Sequence, residues 1–161
     1  MGGPAGLTAI PGMAGLALRA VGHGDFAFLA SLHETLRRAA LEATVGWDAT
    51  REAQRLKAMI RPGLDQVVLL DGRPVGIVAM TAEPHRLWLR RIQLLPSDQG
   101  RGIGTALLRF ALAEGRRLGL PVFLRVRRDN PAQALYARLG FRITGEAPGD
   151  RLEMTADFGA D

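Results

Sequence analysis

Between a strand-like run and an amphipathic run the chain reads Leu94-Leu95-Pro96-Ser97-Asp98-Gln99-Gly100-Arg101-Gly102-Ile103-Gly104-Thr105. A helix that opens at such a bend leaves its first N–H groups without intrahelical acceptors, and its dipole adds about half a positive charge at the same end. Residues without side chains let an anion come close to that backbone, and Arg101 adds a guanidinium able to pair with a phosphate oxygen. The chemistry implied is the binding of a phosphate or diphosphate. Spacing narrows it further. GxxxxGK[ST] is excluded because the only lysine is Lys57. GxGxxG fails too: counted from Gly102 the third glycine position is Leu107, and counted from Gly100 it is Thr105. The stretch about 20 residues on, Val122-Phe123-Leu124-Arg125, has no acid for a ribose. What fits is Gln99-x-x-Gly102-x-Gly104, the Q/R-x-x-G-x-G/A pyrophosphate loop that follows a strand.

Other chemistries are thinly represented. With no cysteine there is no thiolate nucleophile, no disulfide and no sulfur-ligated metal. His23, His33 and His85 have no metal-ligand spacing, so no metal is expected. The chain has 161 residues, 47% hydrophobic and 23% charged, with a net charge of +5. That describes one globular domain able to bury a core, and the lack of cysteine fits a reducing cytoplasm. No apolar run approaches the roughly 18 residues a membrane span needs. The basic residues are nearly all arginine and lie among acids, with only 6% aromatic residues. This reads as genome composition rather than as a nucleic-acid footprint, which gathers its cations into a stripe.

The elements that must position the loop follow from periodicity and breakers. Residues 1–15, small and without a period, read as a flexible leader, and a domain spans residues 16–158. Leu16 to Val21 reads as a strand, and Asp25 as the N-cap of a helix through Leu32 or beyond. Glu34 to Ile60 is helical with a hinge near Val45 to Asp48, stopped by Arg61-Pro62-Gly63. Val67 to Leu70, Asp71-Gly72 and Val75 to Thr81 predict a β-hairpin. Leu87 to Leu95 predicts a strand ended by Pro96. Ile103, Ala106, Leu107, Phe110, Ala111, Glu114 and Leu118, spaced by three and four, predict a helix with an almost wholly apolar face, closed by Gly119. Strand Val122 to Val126, helix Pro131 to Leu139 and strands Phe141 to Gly145 and Leu152 to Phe158 complete the order β, α, α, β, β, β, α, β, α, β, β.

At this point the chain resembles the GNAT N-acetyltransferase superfamily. Besides the loop, Asn130-Pro131-Ala132 and Leu135-Tyr136-Ala137-Arg138-Leu139-Gly140-Phe141 look like the family's N-x-x-A-x-x-L-Y-x-x-x-G-F block, and the element order is similar. The resemblance covers roughly residues 16–158. It implies a single α/β domain of the α+β type, with a mixed, mostly antiparallel central sheet flanked by helices. It also implies acetyl-CoA as the acetyl donor. The pantetheine arm would lie between two splayed strands, Leu87 to Leu95 and Val122 to Val126, against backbone groups of Gln93, Leu94 and Leu95. The pyrophosphate would rest on Gln99, Gly100, Arg101, Gly102, Ile103, Gly104 and Thr105, with Asn130 close to the cofactor. Tyr136, the only tyrosine, would give a proton to the leaving thiolate. The plain alternatives are that Tyr136 is a core ring beside Leu135 and Leu139, that Asn130 is a helix cap, and that Arg101 is solvated.

An ammonium acceptor must lose a proton before it attacks, to a carboxylate or to water. Many family members carry an acid on the strand before the loop, whereas here Arg90 and Arg91 stand mid-strand. Glu42 and Asp48, flanking Val45-Gly46-Trp47, are the candidate bases, with Trp47 as an apolar wall; solvated helix acids are the plain alternative. Arg127 and Arg128 could reach the cofactor's terminal phosphate, although a strand-end charge pair is usually just solvated. The reading is therefore acetyl transfer from acetyl-CoA to an amine by direct attack. The acceptor is a small-molecule amine or a protein amino group, and a homodimer is left open. Two other classes stand beside it: a non-catalytic acyl-CoA-binding sensor, and a basic RNA-associated protein, whose binding would depend steeply on salt.

Overall fold

Val67, Val68, Leu69 and Leu70 are buried without a break, the pattern of a strand covered on both faces. They form β3 (Gln66–Leu70), joined through Asp71-Gly72 to β4 (Arg73–Ala82). The computed structural model describes residues 6–159. The other strands are β1 (Leu7–Ala9), β2 (Leu16–Ala20), β5 (Leu87–Leu94), β6 (Val122–Arg127), β7 (Arg142–Ala147) and β8 (Arg151–Ala156). Together they form one sheet in the order β1-β2-β3-β4-β5-β6-β8-β7. Only β5 and β6 run parallel; every other neighbouring pair is antiparallel.

Alternation along the strands sends side chains to two cores. On one face α1 (Phe26–Glu42) and α2 (Ala49–Met59) bring Leu29, Leu32 and Leu56 onto Val67, Leu69 and Ile77. On the other, α3 (Ile103–Leu118) brings Ile103, Leu107, Leu108 and Ala111 onto Leu16, Leu18, Val68 and Val78, and Leu135 and Tyr136 of α4 (Gln133–Arg138) pack against the same cluster. No helix among the described residues is long and apolar enough to cross a membrane.

β5 carries two departures from regular pairing. β5 pairs with β6 only at Leu87↔Val122 and Trp88↔Phe123, with Leu87 N–H donating to Pro121 O at 2.8 Å; beyond Trp88 the strands part. The second departure is a bulge. Ala79 stands opposite Arg91 while Met80 stands opposite Leu89, so Arg90 is an extra residue on β5. It shifts the alternation by one. Leu87 and Leu89 before it, and Ile92 and Leu94 after it, all join the α3 core.

Arg90 itself is anchored. Its guanidinium donates to Asp65 Oδ1 at 2.5 Å and to Thr81 Oγ1 at 2.9 Å, and Asp65, only 1% exposed, also accepts from Arg61 N–H. Removing one partner of a buried pair strands the other charge. Asp65→Ala is expected to cost about 3–5 kcal/mol and to lower the melting temperature by roughly 6–20 °C. A calorimetric shift under about 2 °C would mean that the pair is dispensable.

The structure differs from the sequence reading at the N-terminal end. Residues 1–5 lie outside the described residues, but residues 7–15 are not a loose leader. Leu7–Ala9 pairs with β2, Ile10 is buried, and Met13 packs on the α3 core. The side chains of β1 are exposed, so its pairing rests on backbone bonds and left no alternation in the sequence. Asp25 stands at the N-cap of α1 as expected, but its side chain does not cap the helix. Its carboxylate turns back to accept from Gly22 N–H and from Arg19, and a short 3-10 turn (His23–Asp25) precedes α1.

Candidate active site

After β5 the chain makes a short 3-10 turn (Pro96–Asp98) and enters α3 through Gly102, whose φ of 86° places it in the left-handed region. Glycine meets that requirement at little cost. Among the described residues, the N–H groups of Gly100, Arg101, Gly102, Ile103, Gly104 and Thr105 donate to no protein acceptor; the helix ladder begins with Ala106 N–H to Gly102 O at 3.0 Å. Six consecutive free donors at a helix start are a seat for an anion. A Cβ built on Gly104 would meet no atom within 4 Å, so this backbone lies open to the cavity it lines.

Buried charge holds the loop in shape. Asp98, only 1% exposed, accepts from Arg73 at 2.9 and 3.2 Å and from Arg101 at 3.0 Å. The Arg73 hydrogen bond holds its carboxyl below the usual aspartate value. Arg101 is therefore tied to Asp98 by one nitrogen and is not simply solvated. Gln99 closes the loop from the other end, with Nε2 donating to Leu94 O at 3.1 Å.

Past the splay of β5 and β6 lies a cavity of about 190 Å³. It gathers Ile92 and Leu94 from β5, Gln99 and Gly104 from the loop, and Asn130 and Tyr136 from the far side. Five residues expected from the sequence to serve one site (Leu94, Gln99, Gly104, Asn130 and Tyr136) thus line one space. Asn130 Oδ1 accepts from Ala132 N–H at 2.9 Å, a turn ahead of α4 that leaves the residue on the cavity wall. Tyr136 stands edge-on to Phe141, with ring centroids 5.9 Å apart. Burial pushes its phenol above the ordinary value, so it keeps its proton at neutral pH. Ile103 offers only backbone, its side chain being core. Leu95 N–H is taken by Val75 O at 2.9 Å, and Gln93 faces the other side of the strand.

That other side holds a cavity of about 510 Å³ between α1, α2 and β5, lined by His33, Arg37, Glu52, Arg55, Met59, Arg91 and Gln93 among others. Here the structure supplies residues that the sequence reading passed over. His33 Nε2 and Glu52 Oε2 lie 3.0 Å apart, and the bond to His33 holds the Glu52 carboxyl below its usual value. The expected bases lie elsewhere. Glu42 is an exposed partner of Arg38, and Asp48 caps α2 by accepting from Arg51 N–H; neither lines this cavity. Trp47 does wall a smaller hollow beside His33 and Glu52. Arg127 and Arg128 are paired with Asp129, Glu146 and Asp150. No cluster of metal-ligating side chains occurs among the described residues.

The family model described as "Acetyltransferase (GNAT) family" matches residues 29–141. Among solved structures the chain is similar to the PaiA N-acetyltransferase from Thermoplasma acidophilum in complex with coenzyme A, at 17% identity, covering 89% of this chain and 99% of that one with a TM-score of 0.70. It is similar to Arabidopsis thaliana Naa50 in complex with the bisubstrate analogue CoA-Ac-MVNAL, at 20% identity, 90% and 100% coverage and a TM-score of 0.64. A third is the ribosomal-protein-S18-alanine N-acetyltransferase from Escherichia coli, at 19% identity, 91% and 97% coverage and a TM-score of 0.61. At these identities the likeness is one of fold. No match is found among curated proteins.

Proposed function

The chain belongs to the GNAT acetyltransferase family, and from that premise we propose that it moves an acetyl group from acetyl-CoA to an amine by direct attack in a ternary complex. The observation that carries the reading is the row of free N–H groups from Gly100 to Thr105, opening on the cavity that holds Tyr136. A diphosphate accepts from those donors at the positive end of the α3 dipole. Acetyl-CoA, when bound, supplies an activated acetyl thioester. The chain's own residues do the rest. The loop fixes the anionic end, and the gap beyond Trp88 gives an extended arm an unpaired strand edge to lie along. Tyr136, held protonated by burial, gives its proton to the departing sulfur as the new C–N bond forms and the C–S bond breaks. The ammonium proton leaves on the opposite side of β5, where His33 and Glu52 line the larger cavity and water can pass it to solvent.

With no cysteine in the chain there is no thiolate to carry the acyl group, which favours attack by the amine itself. The acceptor is a small-molecule amine or a protein amino group, and two of the similar structures, Naa50 in complex with CoA-Ac-MVNAL and the ribosomal-protein-S18-alanine N-acetyltransferase, support the protein alternative. Calorimetric titration of the purified protein with acetyl-CoA, followed by an amine screen with thiol-release detection, tests the reading. Binding with acceptor-dependent thiol release is expected; no heat and no thermal shift would remove it.

A further inference from the structure

The cavity on the α1–α2 side of β5 is unusual in its charge. Three guanidiniums, Arg37, Arg55 and Arg91, share its wall with a single carboxylate, Glu52. That carboxylate is already committed, accepting from His33 at 3.0 Å and lying 3.4 Å from Arg55 and 3.5 Å from Arg51. The acids one turn to either side of Arg38, Glu34 and Glu42, are both taken by it. Among the described residues, Arg37 and Arg91 have no carboxylate within ion-pair distance, and the one acceptor for Arg91 is the Met59 sulfur at 3.4 Å. Asp65 is spent on Arg90, the next residue along the strand.

A half-buried guanidinium facing a thioether is poorly satisfied, since sulfur is a weak acceptor and burial has removed much of the water. Burial pulls the Arg91 guanidinium down from its ordinary value, against the pull of Asp65. Such a group stabilises an arriving anion more than a solvated surface arginine does. The cavity's position fixes what that anion belongs to. Gln93 lines it two residues beyond Arg91 on the same face, while Ile92 and Leu94 line the loop-side cavity. The two spaces thus sit back to back across one strand.

We propose that the acceptor amine carries a carboxylate, held in this cavity by Arg91 and Arg37 with Arg55 at its mouth. The inference rests on the transferase reading and adds the class of acceptor. The carboxylate can come from a free amino acid or short peptide, or from an acidic side chain near a protein N-terminus; the fork of a guanidinium recognises it in either setting.

The test uses matched acceptors with acetyl-CoA and thiol-release detection. One arm pairs glycine, β-alanine and glycylglycine with their C-terminal amides. The other pairs peptide amides carrying an aspartate near the N-terminus with their asparagine twins. In at least one arm the carboxylate member is expected to have the higher kcat/KM. Arg91→Gln and Arg37→Gln should each lower that value by about 10- to 100-fold, with little change for the amide twin. Acetyl-CoA affinity and melting temperature serve as controls and should stay as in the parent. Equal use of both members, turnover of neither, or a loss shared by carboxylate and amide in the variants overturns the proposal. Failure of acetyl-CoA binding in the parent protein would instead remove the transferase reading beneath it.

Discussion

Tyr136→Phe is expected to lower kcat by about 100-fold or more while leaving acetyl-CoA affinity within about twofold, because general acids contribute roughly 10²–10⁴ to such steps. The substitution removes one oxygen and keeps the ring that packs beside Phe141. Stability is therefore unaffected, and the loss reports the proton alone. The sign of the pH dependence follows from burial. Because the phenol is pushed above its ordinary value of about 10, the protonated form persists through neutrality and the donor is not lost below that value. The kcat profile should then show no alkaline fall up to pH about 9. An alkaline limb near pH 8, or a phenylalanine variant with parent turnover, would hand the role to another group. A sensor without catalysis would have no turnover to lose.

Gly104→Val is expected to weaken acetyl-CoA binding by about 100-fold or more, the equivalent of losing two charge-assisted hydrogen bonds. No atom outside its own stretch of helix lies within 4 Å of the position its Cβ would take, so the position is open and the melting temperature should hold. What the valine fills is the approach to the free N–H groups. Gly104→Ala should fall between valine and parent, giving a graded series that unfolding cannot mimic. Unchanged affinity in isothermal titration, with the variant folded, would mean that the diphosphate seat is elsewhere.

Much of this site was legible in the chain because its parts are local. The loop lies within a dozen residues, and the apolar spacing of α3 and the breaker at Pro96 fix where it must sit. Tyr136 is likewise placed by its own short helix, and Asn130 by the turn just ahead of it. The hairpin at Asp71-Gly72 came from turn chemistry between two apolar runs, a signal that acts over a few residues. The α1–α2 side of β5 was not legible for the opposite reason. His33 and Glu52 are 19 residues apart and meet only when α1 folds against α2, and neither has a motif. The hinge acids Glu42 and Asp48 drew attention by position, yet each is used where it stands, by Arg38 and by the start of α2. Arg90 and Arg91 looked alike as neighbours on one strand. The bulge gives them different fates, one neutralised by Asp65 and the other facing the cavity. No rule of alternation reveals an extra residue before the partner strand is known. The strand Leu7–Ala9 escaped notice because its partner supplies hydrogen bonds and no side-chain pattern.

The extra residue at Arg90 makes β5 a partition with two finishes. Beyond it, Ile92 and Leu94 give an oily wall to one chamber, while Arg91 and Gln93 give a wet, cationic wall to the other. Pairing Arg90 in register, in place of the bulge, would impose even alternation past it and exchange the finishes, turning the Arg91 guanidinium into the greasy compartment and a leucine into the charged one. The two walls keep their opposite character only while that one residue stays out of step with the neighbouring strand.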